Sequence, residues 1–303
     1  MDAAQVPAGS IVVGVDGSSA AEAALTWAAD QASLEQRPLT IVHAVENMAL
    51  PSAGAVVAST GPDCTRVVHQ ARDAARALLT AATKQAVDEH PRLTVNGLLR
   101  YADPRTTLLD LGETAAMLVV GSRGRGPVSR LLLGSVSVSL SKHATCPVVI
   151  HRASARAVRG SGVLVGVDGG EHSLPAIDFA YRMASWRNAS LTVLHCYWES
   201  TPLAPGLATQ DRASAQELVS ESIAGMHETY PEVEVRIRLR RGFADQHLIA
   251  ASSEHELVVV GHHPIPVLND IVYGSVAPQV VEHAHGAVAV VPSALRATGT
   301  RSR

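Results

Sequence analysis

The sequence predicts a protein of the α/β class, built from two tandem domains that each contain a doubly wound parallel sheet. Three observations predict this architecture: the length of 303 residues, an internal repeat, and short apolar runs that alternate with longer alanine-rich segments. The length accommodates two domains of about 150 residues, each with a core of its own. Because only 3% of the residues are aromatic, we expect those cores to be aliphatic.

The internal repeat divides the chain into two copies. Val12–Ser18 recurs as Leu164–Gly170, displaced by 152 residues, whereas Leu118–Gly121 recurs as Val258–Gly261, displaced by 140 residues. The first copy therefore carries 12 more residues, the difference between the two displacements. We place them in a long loop at 47–62, which is rich in Ala, Ser, Gly and Pro. We call residues 1–152 copy one and residues 162–303 copy two, and we interpret 153–161 as a linker.

Each copy is predicted to hold five strands in the same order. Short β-branched runs predict strands near 11–15, 39–45, 93–100, 117–121 and 147–151 in copy one, and near 163–167, 190–197, 233–240, 257–261 and 287–291 in copy two. Apolar residues at three- and four-residue spacing predict helices near 19–35, 65–89, 104–113 and 135–144, and others between the strands of copy two. Continuously apolar strands such as Ile11–Val13 indicate helices on both faces, which is typical of a parallel sheet.

The last strands of the two copies are predicted to pair with each other. Pro147–Ile150 and Ala287–Val291 are both short, apolar and β-branched. An unpaired sheet edge of this kind favours aggregation, and pairing removes it. We therefore expect the two copies to form a pseudo-symmetric pair within one chain.

Composition and charge exclude several classes of function. The net charge of −3 gives no indication of a nucleic-acid or membrane partner. The three cysteines are far apart, which argues against a disulfide framework or a thiolate metal site and favours small buried side chains. The first residues do not resemble a signal peptide, and no apolar run approaches the about 20 residues that cross a bilayer. We expect a cytoplasmic protein.

A glycine-rich segment follows the fourth predicted strand of copy one. Gly121 and Gly124 are followed, after nine further residues, by Gly134 and Ser135 at the start of the next predicted helix. Glycines allow backbone N–H groups to approach an anion, and a helix start adds N–H donors and a positive dipole end. Ser135 could donate its hydroxyl or cap the helix. Arg123 and Arg125 add positive charge. A turn without a ligand remains the alternative for an isolated pair of glycines.

This pattern, with Asp16 after the first strand and His43-Ala44 ending the second, resembles the ATP-binding branch of the universal stress protein family. The resemblance extends over nearly the whole chain, in both copies, and implies a Rossmann-like fold of the adenine nucleotide alpha hydrolase-like type. It implies that the adenine contacts the aspartate and main-chain groups of the second strand, with the ribose and phosphates on the glycine loop. In this sequence the implied ATP-binding residues are Asp16, Ala44, Gly121, Arg123, Gly124, Gly134, Ser135, Val136 and Ser137.

Copy two retains only part of this pattern. Its loop reads Gly261-His-His-Pro264, so proline replaces the second glycine. Proline has no N–H and restricts the residue before it, which removes a phosphate donor and stiffens the loop. We therefore predict a weaker second site, whose candidate residues are Asp168, Cys196, Gly261, Gly274 and Ser275.

Several alternatives remain open from the sequence. Asp16 could serve only in a turn and helix cap. No residue is assigned as catalytic, and no spacing of histidines predicts a protein-only metal site, whereas Mg²⁺ could arrive with the nucleotide. The first functional hypothesis is an ATP-binding stress-response regulator that acts on a protein partner. The others are a slow ATPase or phosphotransfer enzyme, and a nucleotide-free scaffold. A homodimer of whole chains is expected from the resemblance alone.

Overall fold

The computed structural model describes residues 6–46, 61–124, 133–152, 161–198, 211–262 and 276–293. The strands in these ranges are β1 (Ile11–Gly14), β2 (Leu39–Ala44), β3 (Val95–Arg100), β4 (Met117–Gly121), β5 (Val148–His151), β6 (Val163–Val167), β7 (Leu191–Tyr197), β8 (Val235–Arg241), β9 (Leu257–His262) and β10 (Ala287–Pro292). The helices are α1 (Ser19–Glu35), α2 (Gly61–Glu89), α3 (Pro104–Gly112), α4 (Ser135–His143), α5 (Leu174–Arg187), α6 (Arg212–Ser222), α7 (Met226–Thr229), α8 (Ala244–Ala251) and α9 (Val276–His283). A 3₁₀ turn at Glu171–Ser173 precedes α5.

All the strands form one continuous sheet in the order β3-β2-β1-β4-β5-β10-β9-β6-β7-β8. Neighbouring strands are parallel within each copy, and β5 and β10 pair antiparallel, with Val149 opposite Ala289. Both the fold class and the predicted pairing of the last strands are confirmed. Because the strands of the two copies run in opposite directions, their carboxyl ends lie at opposite edges of the shared sheet.

Helices cover both faces of the sheet, as its apolar strands predict. Ile11 and Val13 belong to a buried cluster with α1 and α5, whereas Val12 belongs to a second cluster on the other face. Side chains of successive strand residues point to opposite faces, so a strand without polar positions requires two covering layers. The first cluster contains residues of both copies, which makes the core continuous across the junction.

The helix that follows the first strand ends in the same way in both copies. α1 is followed by Gln36 at φ 51°, and α5 by Asn188 at φ 48°. The N–H of each residue donates to carbonyls of the last helical turn. A left-handed residue at this position satisfies carbonyls that the helix leaves without partners. The repeat therefore preserves a backbone conformation as well as a sequence.

Some predicted boundaries were wrong by a few residues. α2 begins at Gly61 instead of residue 65, so two residues of the predicted loop are helical. Proline is tolerated in a first helical turn because its missing N–H has no partner there, and this explains how Pro62 fits. β3 begins at Val95 instead of residue 93, because the N–H of Leu93 donates to the His90 carbonyl at 2.9 Å and closes a turn. The rest of that loop, 47–60, lies outside the described residues.

Arg187, the last residue of α5, joins the two copies. Its Nε donates to Oε1 of the buried Gln31 at 3.0 Å, and its guanidinium lies 4.7 Å from the ring centre of Trp27, both in α1. It also forms an ion pair with Glu256 in which the two side chains are only 10% and 12% exposed. Because water has little access to this ion pair, it cannot stabilise the Glu256 charge if the Arg187 charge is removed. Within the described ranges, no helix combines the length and apolar character that a membrane crossing requires.

Replacement of Arg187 by methionine should destabilise the protein strongly. The variant leaves Glu256 in a covered site without its cation, which costs about 3 kcal/mol or more in the free energy of unfolding. Urea denaturation measures the change. The matched control is Arg236→Met, which breaks an ion pair with Glu234 whose side chains are 61% and 67% exposed, and should cost less than about 1 kcal/mol. Equal effects of the two substitutions would contradict a structural role for Arg187.

Candidate functional site

The candidate site of copy one lies where the strand order reverses, between β1 and β4. In open α/β sheets, ligands bind beyond the carboxyl ends of the strands at such a point. Gly14 of β1 lies opposite Val120 of β4, so the two strands end level with each other. Parallel pairing thus brings the turn that begins at Asp16 next to the loop 121–124.

The turn after β1 is bonded directly to that loop. The N–H of Ser18 donates to Asp16 Oδ1 at 3.0 Å. Ser18 Oγ accepts from the N–H of Ala21 and donates to the carbonyl of Arg123, both at 3.2 Å. Ser18, rather than Asp16, is therefore the cap of α1. Its link to the loop is a role that the sequence reasoning missed, although the Asp-Gly-Ser sequence before a helix signals a cap.

At two glycines of the loop, a side chain would require a neighbouring group to move. A Cβ at Gly121 would lie 2.7 Å from the carbonyl carbon of Ala20 and 2.8 Å from the nitrogen of Ala21, in the first turn of α1. A Cβ at Gly124 would lie 2.4 Å from Asp16 Oδ2. The absence of a side chain therefore allows close contacts here. The backbone of α1 packs against Gly121, and the Asp16 carboxylate packs against Gly124.

The start of α4 completes the loop. The N–H of Gly134 donates to the Ser122 carbonyl at 2.8 Å, and the N–H of Ser122 donates to the His151 carbonyl at 2.7 Å. Gly134 is the N-cap, with no hydrogen bond from a capping side chain. Of the two alternatives for Ser135, capping of α4 is wrong, because Ser135 is the first helical residue; its hydroxyl is exposed. Uncapped N–H groups and the helix dipole make such a start suited to an anion.

Ser137 and Val136 lie deeper than Ser135 in the first turn of α4. Ser137 is 2% exposed, and its hydroxyl donates to the Gly121 carbonyl at 2.9 Å. This hydrogen bond holds the start of the loop from its buried side. Val136 is half-buried and packs on the apolar cluster of this face. Of the three predicted residues in this turn, only Ser135 presents its side chain at the surface.

The end of the second strand is fixed by the same contact in both copies. His43 Nδ1 donates to the Val15 carbonyl at 2.7 Å, and His195 Nδ1 donates to the Val167 carbonyl at 2.9 Å. Because a carbonyl only accepts, the contact places a proton on Nδ1. Ala44 follows His43 at the carboxyl end of β2 and is half-buried. Its main chain therefore lies beside the turn that carries Asp16.

Two arginines near the loop of copy one lie close enough for their positive charges to repel each other. Arg123 is exposed. Arg152 follows β5 and donates to the carbonyls of Val281, at 2.6 Å, and Glu282, at the end of α9 in copy two. Burial lowers the pKa of Arg152, and the nearby charge of Arg123 lowers it further. The motif gave no signal for Arg152, since it comes from another strand. Arg125 lies outside the described residues.

The switch point of copy two differs in its turn and its loop. Asp168 is exposed, and its Oδ1 accepts from the N–H of Gly170 at 2.8 Å and from the hydroxyl of Ser173 at 2.5 Å. Ser173 stands at the position of Ala21 in the repeat. At Gly261 a Cβ would meet its nearest neighbour, the His172 carbonyl oxygen, at 3.7 Å. The predicted site residues Gly274 and Ser275, and Pro264, lie outside the described residues.

The described cysteines are protonated side chains at neutral pH. Burial raises the pKa of Cys146 to about 12 and that of the half-buried Cys196, at the end of β7, to about 11. The expected burial holds for Cys146 and only partly for Cys196; the Cys64 side chain lies outside the described part. Within the described ranges, no group of three or more His, Cys, Asp or Glu side chains is arranged to hold a metal ion.

The fold defines a tandem doubly wound α/β protein with a point in each copy where the strand order reverses. The chain belongs to the universal stress protein family, whose sequence profile matches residues 8–152 and 162–292. It is 35% identical over 290 residues to a universal stress protein of Mycolicibacterium smegmatis, covering 93% of this chain and 96% of that protein. It is also 35% identical over 296 residues to one of Mycobacterium tuberculosis H37Rv, covering 94% and 97%.

A solved structure shares this fold at low sequence identity. The crystal structure of a universal stress protein from Archaeoglobus fulgidus matches with a TM-score of 0.69 at 16% identity, covering 95% of this chain and 99% of that one. The adenine nucleotide alpha hydrolase-like fold that the resemblance implied is thereby confirmed.

The two switch-point glycines should respond differently to alanine. At Gly121 the added methyl meets helix backbone, which cannot move aside cheaply, so Gly121→Ala should cost about 1–3 kcal/mol in the free energy of unfolding. Gly261→Ala is the matched control, because its methyl enters ordinary contact distances, and it should change stability by less than about 0.5 kcal/mol. Urea denaturation of both variants tests this. A stable Gly121→Ala protein would show that α1 does not press against the loop.

Proposed function

We propose that the chain is an ATP-binding regulatory protein of the cytoplasm, in which copy one binds ATP with Mg²⁺. The observation that carries this proposal is the convergence of Asp16, the loop 121–124 and the uncapped start of α4 at one switch point. A carboxylate beside a set of backbone donors suits a ligand with a hydrogen-bonding ring at one end and an anion at the other. ATP has this shape, and the family resemblance implies the same ligand.

We assign the predicted residues to different parts of the ATP molecule. We assign Asp16 and the main chain of Ala44 to the adenine end, because both lie at strand ends beside the His43 contact. We assign Gly121, Gly124 and Ser135 to the phosphates. Gly134 and Ser137 hold the loop in place through their bonds to the Ser122 and Gly121 carbonyls, which keeps the donors arranged before a ligand arrives.

Positive charge supports the anionic end of this ligand. Arg123 is exposed in the loop itself, and Arg152 lies close enough for the two charges to affect each other. A phosphate between or near them would relieve their mutual repulsion. Mg²⁺ would neutralise further phosphate charge and arrive with the nucleotide, since it is usually held by phosphates, water and few protein ligands.

A regulatory role is supported by the connections of this site to the rest of the chain. Gly121 and Ser18 bring the loop into contact with the first turn of α1. Further along α1, Gln31 and Trp27 contact Arg187 of copy two. A ligand that binds one arrangement of the loop more tightly would favour the matching arrangement of α1. We propose that a protein partner, and a second chain in a homodimer, respond to that difference.

The variant Gly124→Glu should lose ATP binding while remaining folded. Its side chain enters the space beside Asp16 and adds a second carboxylate where the phosphates approach, so ATP affinity should fall roughly 100-fold or more, about 3 kcal/mol. The clash involves only the end of the Asp16 side chain, which can rotate away. Calorimetric titration with Mg²⁺ and ATP measures the affinity, and circular dichroism checks the fold.

Gly261→Glu provides the control at an exposed glycine of the copy-two loop, the counterpart of Gly121, because the counterpart of Gly124 is Pro264. It adds the same charge at the opposite edge of the sheet, so the tight ATP site should persist. Undiminished ATP binding by a folded Gly124→Glu protein would refute the assignment of copy one. Equal losses in both variants would mean that net charge, rather than the loop, governs binding.

The wild-type chain should bind about one ATP tightly, at copy one. In copy two, the Ser173 hydroxyl donates to Asp168 Oδ1 in addition to the main-chain N–H that both copies supply, and Pro264 removes a backbone donor. Pro264→Gly should raise the stoichiometry toward two sites at saturating ATP. Equilibrium dialysis of both proteins gives the count. Two equivalent tight sites in the wild-type chain would overturn this interpretation of Pro264.

A further inference from the structure

The outer edge strand of copy two carries a row of arginines. β8 is the last strand of the sheet and reads Val-Arg-Ile-Arg-Leu-Arg-Arg, with no acidic residue. Because successive side chains of a strand point to opposite faces, Arg236, Arg238 and Arg240 share one face. We call these three residues the arginine row. Neighbouring members of such a row lie about 6.6 Å apart along the strand, since each residue adds about 3.3 Å.

The opposite face of β8 provides its contact with the core. Leu239 is buried in the first apolar cluster, and Val235 and Ile237 pack against that cluster. On the face of the arginine row, α8 packs mainly on β6 and β7. Two of the three arginines are exposed, and the third, Arg238, is half-buried. The strand is therefore held in the sheet through one face and presents positive charge on the other.

Copy one has a different outer strand at the same place. Its edge is β3, in which Asn96, Leu98 and Arg100 correspond to the arginine row. Leu98 is 4% exposed and belongs to the second apolar cluster. Because the fold accepts an apolar residue at this position, the sheet does not require an arginine at the equivalent Arg238. Three successive charges on one face distinguish the edge of copy two from that of copy one.

The outer side of β8 also offers backbone groups. The N–H of Leu191 in β7 donates to the carbonyl of Glu234 at 2.8 Å. Alternate residues of a strand face the same neighbour, so the even-numbered residues of β8 face β7. The N–H and carbonyl groups of Val235, Ile237 and Leu239 therefore point to the outer side, where none of the described strands lies. Such a row of donors and acceptors is a template for a further strand.

Carboxylates already contact the arginine row. Arg236 forms an ion pair with Glu234 at 2.8 Å, and Arg238 forms one with Glu254 at 3.5 Å. The two glutamate side chains are 67% and 65% exposed. Ion pairs this open to water contribute little to stability, so these arginines can exchange one carboxylate for another at small cost.

The charge of β8 restricts which strand could pair with it. Charged side chains on an edge strand normally discourage pairing, and a second copy of β8 would place arginine against arginine. A strand with a carboxylate at every second position would instead place each carboxylate beside an arginine. The segments outside the described ranges contain only isolated acidic residues, which are Asp2, Glu199 and Asp270. The complementary strand must therefore come from another protein.

We propose that β8 is a docking edge for an acidic segment of another protein, which adds to the sheet as one more strand. The backbone of that segment pairs with the outer groups of Val235, Ile237 and Leu239, and its alternating carboxylates contact the arginine row. In this mode of recognition, main-chain hydrogen bonds supply affinity and alternate side chains supply specificity. The proposal does not depend on nucleotide binding in either copy.

Labelled peptides test the proposal on the full-length chain without nucleotide. The probe is a peptide of about ten residues in which threonine and glutamate alternate, long enough to span one strand. Fluorescence anisotropy measures its affinity. A threonine–glutamine peptide, and one of the same composition with all glutamates first, should each bind roughly 5-fold more weakly or worse, because charge or alternation is lost. Methylation of alternate backbone nitrogens should abolish binding, and an unchanged affinity would overturn strand addition.

Substitution of the arginines tests the side-chain contacts. Arg236→Thr and Arg238→Thr remove charge and retain a residue that favours strands. Each should lower the affinity of the threonine–glutamate peptide roughly 2- to 5-fold, the effect of losing one exposed ion pair. The matched control is Arg100→Thr on the outer strand of copy one, which should leave that affinity unchanged. Equal affinity in the wild type and in the double variant would overturn the proposal.

A single-stranded oligonucleotide tests the other anionic partner. Oligothymidylate of about ten nucleotides can meet the charges of the arginine row, because phosphates attract arginine, but it leaves the outer backbone groups without partners. It should therefore fail to displace the bound peptide at equal concentration. Displacement of the peptide by oligothymidylate would assign the arginine row to nucleic acid and overturn the proposal.

Discussion

Hydrogen bonding between β5 and β10 is the interaction on which the rest of the structure depends. Each strand would otherwise be an exposed, β-branched sheet edge, and such edges pair with other chains. Their antiparallel pairing makes one sheet from two copies and continues the core across the junction. It also allows Arg152 of copy one to reach the end of α9, and α1 to contact α5. Because the strands of the two copies run in opposite directions, the candidate sites at their carboxyl ends lie at opposite edges of the sheet.

The two copies share a backbone arrangement but differ in the residues around their switch points. The contact between the strand-end histidine and the carbonyl before the aspartate is the same in both copies. Around it, copy one has a loop pressed against α1, whereas the equivalent Gly261 has space beside it. A short 3₁₀ turn stands at the start of α5, where α1 is already helical. The backbone layout is thus shared, and the side chains at the strand ends distinguish the sites.

Local sequence patterns predicted the elements well where burial is strong. The runs at β1 and β4 are apolar at every position, and β9 is apolar up to Gly261; a strand covered on both faces allows little else. Errors occurred where a few hydrogen bonds decide the boundary. The turn that delays β3 depends on one bond from Leu93 to His90, and α2 begins at Gly61, four residues before the start that its apolar spacing predicts. Such ends have small energetic consequences, so the sequence records them weakly.

The sequence by itself determined the repeat, the fold class, the pairing of the last strands and the candidate loop, because each depends on local residue order or on an apolar pattern. Only the tertiary structure decided what individual side chains around the loop contact. Ser137 faces the underside of the loop, Ser18 joins the loop to α1, and Arg152 lies near Arg123 although it comes from another strand. These roles depend on distances between segments far apart in the chain, and strand pairing sets those distances.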